Sequence, residues 1–584
     1  MRTLHGVPAS TGVARGPWVR IAAQGAPAGG RIAPDAADAE VARLTAARDA
    51  AAAELETLAA TVAAAGRPTE GEIFEAQAAM ALDPALHDAA VEAIRTGDDA
   101  VAAIRGAAQG VAELLRGLGD ELLAARAADV LDVAERIAAT LAGVDRTVSL
   151  ERPAIVVAED IPPSLAAGLP RELLLGLALE SGSATSHAAI LARAFGIPAV
   201  VGIAGLLDAT DGTATGAAAG ELVVDGDTGE VVFDPDAATA ERLEGRRAAA
   251  DDAARVALAE AGLETVTTDG IAVTLLANIG TPAESARAVE LGAKGVGLFR
   301  TEFLFVERST PPSEDAQTAA NRAVIEAFAP GPVTIRLLDV GGDKPIPYLP
   351  IPPEANPFLG VRALRLAPER PDVFVTQLRA AMRAAASSPD RDLGPVKVMA
   401  PMVADATDVT VLHDLAERAR VSLVADGLAH GAVQLGVMLE IPAAVLVADS
   451  YLGRLRFASL GTNDLLQYAM AADRGNPALE RYRDALHPAL LRLIAAAVES
   501  TGRAGVELSV CGEMAGDPAA ALALVGLGVR VLSMASSSLA PVRRAIRAVD
   551  SGELSRAATE ALDASTAAEV RARFTALLPD TGRG

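Results

Sequence analysis

The spacing of hydrophobic positions changes several times along the chain. Residues 1–20 contain glycine and proline at the intervals of a strand and turn. From about residue 36 to residue 142, apolar positions recur at helical spacing in alanine-rich stretches, which predicts a bundle of helices. From residue 150 to residue 235, short apolar runs return, which predicts buried strands in an α/β layer.

The rest of the chain alternates short apolar runs with helical stretches. Strands buried on both faces are typically continuous apolar runs of this kind. Eight strand–helix alternations in about 320 residues predict a (β/α)₈ (TIM) barrel. The eight runs are residues 273–277, 295–299, 333–337, 396–400, 435–439, 457–460, 508–511 and 531–534.

These patterns predict a multidomain α/β protein with four parts. An N-terminal α/β domain comprises residues 1–20 and 148–235, and an all-α helical bundle is inserted at residues 21–147. A charged linker helix at residues 236–262 leads into the C-terminal barrel at residues 263–584, and Asp234-Pro235-Asp236 marks the start of the linker.

Composition narrows the functional class. A formal net charge of −25 argues against a nucleic-acid partner, because phosphate backbones attract basic surfaces. No run of eighteen strictly apolar residues occurs, so no membrane span is expected. The N-terminus lacks the apolar core of a signal peptide. The single cysteine, Cys511, excludes an intrachain disulfide, and the chain is expected to be cytoplasmic.

Polar and charged residues follow most of the predicted barrel strands, at the end where such barrels keep their chemistry. Arginine forks bind phosphate and carboxylate groups bidentately, and two carboxylates with water and substrate oxygens suit octahedral Mg²⁺. A thiol can donate a proton. The candidate residues are Arg300, Arg336, Arg362, Glu440, Asn463, Asp464, Arg474 and Cys511.

Each candidate also has a purely structural interpretation. Arginines at strand ends often pair with carboxylates of neighbouring helices. Glu440 and Asp464 form a surface pair under this interpretation. A lone cysteine in an apolar strand is more often an inert small hydrophobe than an acid.

A second candidate site is the stretch Gly182–Arg193, in which a small-residue loop runs into a helix. Thr185 or Ser186 is a plausible N-cap, and His187 sits in the first turn. Free N–H groups and the helix dipole attract an anion there. Two interpretations stay open: an imidazole that carries a phosphoryl group, or a capping histidine on a surface helix.

The stretch Gly182-Ser183-Ala184-Thr185-Ser186-His187, with Ile190, Ala192 and Arg193, resembles the phosphohistidine motif of the phosphoenolpyruvate-utilising enzymes. The barrel motifs resemble, in order and spacing, the Enzyme I family of the phosphoenolpyruvate-dependent sugar phosphotransferase system. Those motifs are Gly297-Leu298-Phe299-Arg300-Thr301-Glu302, Asp339-Val340-Gly341-Gly342-Asp343-Lys344, Asn356–Arg362, Gly461-Thr462-Asn463-Asp464-Leu465 and Cys511-Gly512-Glu513-Met514. The resemblance covers essentially the whole chain.

This resemblance implies roles for the candidate residues. Phosphoenolpyruvate phosphorylates His187 on Nε2, and Cys511 protonates the enolate to give pyruvate. Glu440 and Asp464 bind Mg²⁺, and the substrate is bound by Arg300, Arg336, Arg362, Asn463, Asp464 and Arg474. The phosphoryl group then passes to a histidine of the phosphocarrier protein HPr, which docks on the helical bundle. The resemblance also implies a homodimer formed through the barrel.

The chain departs from the family pattern at three positions. Ser183 replaces a glycine and could stiffen its loop, because only glycine adopts positive φ without cost. Gln77 replaces a histidine and Leu131 an arginine in the bundle, which bears on recognition of the carrier.

Two rival functions are a dikinase or synthase of the same family and a regulatory binding protein that has lost turnover. The first needs a nucleotide-binding module before the histidine, but the residues before His187 suggest a helical bundle and contain no G-x-x-x-x-G-K-[ST] loop. The retained His187 and Cys511 speak against the second. No sensory module precedes residue 1, which favours the sugar branch over nitrogen regulation.

Overall fold

The computed structural model describes most of the chain. The residues outside the description are 22–28, 65–67, 118–120, 145–149, 151, 162–164, 166–168, 183–187, 190–191, 194–195, 211–217, 307–309, 342–345, 347, 353, 387–392, 475 and 580–584. The chain divides into two compact units, Met1–Ala253 and Ala254–Gly584. The finer division into four parts stays a prediction.

The first unit contains an eight-stranded mixed sheet. Its spatial order is β1-β8-β7-β3-β4-β5-β6-β2, in which β1 and β2 form the two edges and β3 lies between strands that follow the helical bundle. The strands are β1 (Arg2–His5), β2 (Val7–Ser10), β3 (Val13–Arg20), β4 (Ala154–Ala158), β5 (Leu174–Leu179), β6 (Ala199–Val201), β7 (Ala218–Asp225) and β8 (Glu230–Phe233). Long-range pairing therefore joins the two ends of this unit into one layer.

The bundle lies between β3 and β4 in the chain. Its helices are α1 (Ala37–Ala64), α2 (Pro68–Ala81), α3 (Pro84–Arg95), α4 (Ala100–Gly117) and α5 (Glu121–Ala142). Leu44, Ile94, Ile104 and Ile137 form part of a shared apolar core. The Asp83 side chain accepts a hydrogen bond from the Ala85 backbone N–H and caps α3. A further helix, α6 (Ala237–Ala259), follows the sheet.

The second unit is a closed barrel of eight parallel strands. They are β9 (Thr274–Ile279), β10 (Val296–Arg300), β11 (Val333–Arg336), β12 (Val396–Ala400), β13 (Gln434–Leu439), β14 (Phe457–Leu460), β15 (Glu507–Val510) and β16 (Val531–Met534). Strand β16 pairs with β9 and closes the barrel. The prediction of a multidomain α/β protein with a C-terminal (β/α)₈ barrel is therefore confirmed.

Helices surround the barrel strands. They are α7 (Glu284–Glu290), α8 (Phe303–Val306), α9 (Glu314–Phe328), α10 (Pro371–Ala384), α11 (Ala406–Ala425), α12 (Pro442–Leu446), α13 (Thr462–Met470), α14 (Pro488–Ala504), α15 (Pro518–Gly526), α16 (Leu539–Arg547), α17 (Ser551–Ala561) and α18 (Ala567–Thr575). Within the described residues, no helix combines the length and apolar character needed to cross a membrane.

Alternation along the strands decides which side chains line the barrel interior. Val396, Val398 and Ala400 of β12 join the large apolar core between strands and helices. Met399 instead joins a small cluster with residues of four other strand regions: Leu298, Met438, Phe457 and Cys511. Because successive side chains point to opposite faces, residues two apart share the interior. The interior is therefore filled with side chains and is not an open channel.

Lys397 shares the inward-facing side of β12 with Met399, near the N-terminal end of the strand. Its ammonium lies 2.6 Å from Glu507 Oε1 on β15, which is not a neighbouring strand. It also lies 5.3 Å from the centroid of the Phe457 ring. Lys397 is buried, whereas the Glu507 side chain is half-exposed. The pair therefore spans the interior of the barrel near the N-terminal ends of the strands. It lies away from the mouth, which is the end of the barrel formed by the carboxyl ends of the strands.

We predict unequal effects for the two members of this pair. Lys397→Met should change the free energy of unfolding of the barrel by less than about 1 kcal/mol, because an apolar chain of similar length replaces the ion. Glu507→Ala should cost about 1–3 kcal/mol, because it leaves the buried ammonium without its partner. Urea unfolding of both variants tests this expectation, and a greater loss for Lys397→Met would contradict it.

Candidate functional site

The carboxyl ends of the barrel strands bring together most of the residues predicted from the sequence. Arg300 and Arg336 are the last residues of β10 and β11, and Glu440 directly follows β13. Thr334 and Arg336 alternate with Val333 and Ile335, which face the helices, so Arg336 points inward. Charged residues therefore occupy the last positions of these strands, whereas the apolar residues before them pack in the core.

Arg336 is held by two carboxylates. Its Nη2 lies 3.0 Å from Glu302 Oε2, and its Nη1 lies 3.5 Å from Asp339 Oδ2. The Asp339 backbone N–H donates to Glu302 Oε1 at 2.9 Å, which ties the two acidic residues to each other. Burial alone lowers the pKa of Arg336, but Glu302, Asp339 and Glu440 outweigh it and raise the pKa above its ordinary value. The guanidinium is therefore permanently charged and fixed in place.

Arg362 forms the centre of the same network and is almost fully buried. Its Nη2 donates to Asp339 Oδ2 at 2.8 Å, and its Nη1 donates to Asp464 Oδ1 at 3.4 Å and to the Tyr468 hydroxyl at 3.3 Å. Gly341 makes this approach possible: its φ is +109°, and a Cβ there would lie 2.7 Å from Arg362 Cβ. The glycine of the Asp-Val-Gly-Gly motif thus makes room for the arginine.

Glu440 and Asp464 are both buried. The Met402 backbone N–H donates to Glu440 Oε1 at 2.6 Å. Burial, together with the nearby charges of Asp464 and Asp339, raises the pKa of Glu440 to about 8. The interpretation of Glu440 and Asp464 as a surface pair is therefore wrong.

Arg474 is a second arginine that contacts Asp464. Its Nη1 lies 3.5 Å from Asp464 Oδ2, and its guanidinium carbon lies 5.7 Å from the centroid of the Phe358 ring. Asp464 therefore lies between two arginines, Arg362 and Arg474.

Arg336 is an ion-paired strand-end arginine, although its partners Glu302 and Asp339 lie in loops and not in neighbouring helices. Arg362 and Arg474, which do not end a strand, are ion-paired as well.

Two of the predicted site residues, Arg300 and Asn463, have hydrogen-bond donors without a partner among the described residues. Within the part of the chain that the structure describes, the Arg300 guanidinium makes no hydrogen bond or ion pair. Asn463 Oδ1 accepts a hydrogen bond from the Glu513 backbone N–H at 3.0 Å. The amide Nδ2 of Asn463 has no partner among the described residues. Both groups are donors that an anion at the mouth can use.

Cys511 follows β15 and is buried, with 2% of its surface exposed. Burial raises the pKa of its thiol, although the Ser459 hydroxyl and the positive charges of Arg336 and Arg300 oppose the effect. The thiol is therefore protonated at neutral pH, as a proton donor must be. Gly512 allows close packing here, since a Cβ would lie 1.9 Å from Thr462 Oγ1.

His187 and Ser183 lie outside the described residues. The helix that follows His187 is partly described: Ala188, Ala189 and Ala192 are buried in the core on one face of the sheet. Arg193 Nη1 donates to the Ala9 carbonyl at 2.8 Å. The role of His187 stays a prediction, as do the roles of the barrel residues.

Sequence reasoning missed several members of the network. Glu302 follows Arg300 within one barrel motif, and Asp339 begins the motif that follows Arg336, but nothing in their spacing predicts their pairing with Arg336 and Arg362.

Asn278 lies beside Cys511 at the barrel mouth and directly follows the predicted strand at residues 273–277. A polar residue at a barrel strand end was the available signal for Asn278. Tyr468, which contacts Arg362, carried no such signal.

The residues at the mouth fit a divalent cation with hard oxygen ligands. Glu440 and Asp464 offer two carboxylates, and Mg²⁺ typically takes one or two carboxylates plus water and substrate oxygens. Burial and the negative charges of Asp464 and Asp339 raise the pKa of Glu440 more than Arg336 and Arg362 lower it, so a cation bound there would stabilise its ionised form. Among the described residues, no group of three or more histidine, cysteine or acidic side chains is arranged to hold a metal ion.

Comparisons with known proteins cover nearly the whole chain. Three family models match, described as "PEP-utilising enzyme, N-terminal" (residues 5–126), "PEP-utilising enzyme, mobile domain" (residues 150–229) and "PEP-utilising enzyme, PEP-binding domain" (residues 256–551).

Curated relatives match at similar extent. The phosphoenolpyruvate-protein phosphotransferase of Streptomyces coelicolor is 43% identical over 90% of this chain and 91% of its own length. The protein of the same name from Geobacillus stearothermophilus is 38% identical over 97% of both chains. A solved structure of Enzyme I (nEIt) covers 42% of this chain and 99% of its own, at 31% identity and a TM-score of 0.36. The sequence relatives, not this low-scoring structure, carry the family assignment.

The buried Glu440 predicts a pH-dependent stability. Its pKa in the folded barrel is about 8, whereas an unfolded glutamate titrates near 4.3. As the pH rises between these values, the unfolded chain loses its proton and the folded chain keeps it, so the free energy of unfolding falls. The stability advantage of Glu440→Gln over the wild type should therefore grow by about 3–4 kcal/mol between pH 5 and pH 8.

Denaturant unfolding in metal-free buffer at the two pH values measures this difference. Glu369→Gln, at an exposed glutamate of the same unit, is the matched control and should show no pH-dependent gain. A Glu440→Gln variant whose stability relative to the wild type does not rise between pH 5 and pH 8 would contradict the raised pKa of the buried Glu440 carboxyl.

Proposed function

Because the chain belongs to the phosphoenolpyruvate–protein phosphotransferase family of PEP-utilising enzymes, we propose that it transfers the phosphoryl group of phosphoenolpyruvate to its own His187 and then to a histidine of the phosphocarrier HPr. Pyruvate is the second product, and the reaction is the first step of a sugar phosphotransferase system. The observation that carries the proposal is the buried arginine–carboxylate network at the barrel mouth, centred on Arg362.

The substrate is bound by donors that the protein leaves unused and by arginines that its own carboxylates hold in place. Phosphoenolpyruvate is a compact anion with a phosphate and a carboxylate, and guanidinium forks suit both groups. Arg300 and Asn463 Nδ2 have no partners among the described residues and supply new hydrogen bonds. Arg336, Arg362 and Arg474 supply positive charge from fixed positions, so little reorganisation accompanies binding.

Glu440 and Asp464 hold Mg²⁺ in this proposal. The ion, when bound, supplies positive charge that offsets the charge of the substrate oxygens. Arg362 and Arg474 orient Asp464 from opposite sides. The Met402 backbone N–H orients Glu440 through its Oε1 atom. These contacts leave both carboxylates fixed before substrate arrives.

The chemical step moves one phosphoryl group and one proton. His187 Nε2 attacks phosphorus, and the bond from phosphorus to the enol oxygen breaks, so the electron pair stays on the departing enolate. The enolate carbon takes a proton from the Cys511 thiol and becomes pyruvate. The resulting thiolate regains a proton from solvent. Burial keeps the Cys511 thiol protonated until the enolate forms.

The helical bundle α1–α5 is proposed as the docking surface for the carrier. Gln77, in α2, is almost fully buried, and neither polar atom of its amide has a hydrogen-bond partner among the described residues. This residue therefore does not present its side chain to a partner at the surface. We also propose a cytoplasmic homodimer formed through the barrel, on the strength of the family resemblance and the single cysteine.

The proposal predicts phosphorylation without a nucleotide. With ³²P-labelled phosphoenolpyruvate and Mg²⁺, the full chain should take label on His187 and pass it to purified HPr. His187→Ala should abolish both steps, whereas His430→Ala, at a histidine of the barrel unit, should leave them unchanged. Labelling is measured by gel autoradiography and by mass spectrometry of the labelled peptide.

Other outcomes separate the rival functions. A requirement for ATP would support a dikinase or synthase, and binding of phosphoenolpyruvate without any label would support a regulatory protein. Label on the chain that reaches no HPr would retain the enzyme but reject this carrier.

A further inference from the structure

The amide of Asn278 joins three strand ends at the mouth of the barrel. Asn278 is on the inward face of β9, because Leu275, Ala277 and Ile279 face the helices. Its Nδ2 donates to the Cys511 carbonyl at 2.9 Å and to the Ser533 carbonyl at 3.4 Å. The Ser533 hydroxyl donates to Asn278 Oδ1 at 2.7 Å. Every polar atom of this amide is therefore used.

Cys511 depends on this contact because it lies just beyond β15. The β15–β16 ladder pairs Ser509 with Val531 and Val510 with Leu532, and it stops before Cys511. On the other side, the Cys511 backbone N–H donates to the Leu460 carbonyl of β14 at 3.1 Å. The carbonyl of Cys511 is thus held by Asn278 where regular strand pairing has ended.

Ser533 sets the orientation of the amide. It is fully buried, and its hydroxyl packs against Gly297 of β10, where a Cβ would lie 2.4 Å from Oγ. Because the hydroxyl donates to Asn278 Oδ1, the amide nitrogen is turned toward the two carbonyls. An aspartate at residue 278 would place an oxygen against carbonyl oxygens, and an apolar residue would leave both carbonyls without this donor.

We propose that Asn278, oriented by Ser533, is a positioning residue for the proton donor: by holding the Cys511 carbonyl, it sets the reach of the thiol toward the enolate carbon. The inference rests on the proposed function, since it assumes that Cys511 delivers a proton. Asn278 acts through Cys511 and is not itself given a contact with substrate. A displacement of about 1 Å can slow a reacting pair by about 100-fold, far more than a lost hydrogen bond costs in stability.

A single-turnover experiment tests this role. The full chain, in excess over ³²P-labelled phosphoenolpyruvate and with Mg²⁺, is followed for label on the protein and for pyruvate by lactate dehydrogenase. In the wild type, label and pyruvate should appear together. In Asn278→Ala, labelling should stay within about threefold of the wild type, while pyruvate formation slows about 10- to 100-fold. Cys511→Ala should show the same separation of the two signals.

Two further variants keep the test decisive. Ser533→Ala retains the Asn278 donor but removes its orienting partner, so a smaller delay of about three- to tenfold is expected even if Asn278→Ala fails to fold. Asn321→Ala removes a buried amide from α9 in the outer layer, and it should delay neither signal. The KM for phosphoenolpyruvate should change little in Asn278→Ala and Ser533→Ala.

The failures of the two proposals are distinguishable. A wild type that takes no label contradicts the proposed function. A wild type that is labelled, together with Asn278→Ala and Ser533→Ala variants in which label and pyruvate still appear together, overturns the positioning role. An equal slowing of labelling and pyruvate formation also overturns it, because that result indicates general damage to the barrel. A Cys511→Ala variant without delay removes the proton donor on which the inference depends.

Discussion

The barrel mouth depends on charges that are buried only because they are paired. Arg336 and Arg362 lie in an interior where an isolated ion is very costly, and Asp339 contacts both of them. Among the described residues of the mouth, four arginines (300, 336, 362 and 474) and four acidic residues (302, 339, 440 and 464) would cancel as +4 and −4 if every carboxyl were ionised, but the pKa of Glu440, about 8, leaves that carboxyl largely protonated at neutral pH. Removing one partner from such a network leaves the other ion uncompensated. The ion-pair network is therefore required for the stability of the barrel mouth, and it also positions the residues proposed to bind substrate.

The cancellation is uneven in space, and the unevenness has chemical consequences. Asp339 and Asp464 each contact an arginine closely, whereas Glu440 is held through the Met402 backbone N–H and has a raised pKa. At the opposite extreme, Arg300 has no ion pair among the described residues. One carboxylate thus lacks positive charge and one guanidinium lacks negative charge. In the proposed function, a divalent cation bound at Glu440 and an anion bound at Arg300 would satisfy both deficits.

Much of this arrangement was predictable because a barrel strand combines two simple rules. Continuous apolar runs predicted eight strands, and three of them, at residues 396–400, 457–460 and 531–534, have the observed bounds. Residues at strand ends converge, which predicted that Arg300, Arg336 and Glu440 would meet. The partners were not predictable in the same way. Whether Arg362 pairs with Asp339 or with a helix depends on loop geometry, and no periodic pattern encodes that geometry.

Asn278 shows where the period-2 rule could have gone further. The predicted strand ended at residue 277, but β9 continues to Ile279, so Asn278 is an inward-facing strand residue and not the start of a loop. A shift of two residues in a boundary therefore hid a side chain that faces the same interior as Cys511. In a barrel, the last inward position of every strand lies at the mouth. A polar residue there either touches the ligand, as proposed for Arg300, or holds a neighbour that does. Only the pattern of used and unused donors distinguishes the two roles: both polar atoms of the Asn278 amide are bonded to protein atoms, whereas the Asn463 Nδ2 has no partner among the described residues and is the donor proposed to bind substrate.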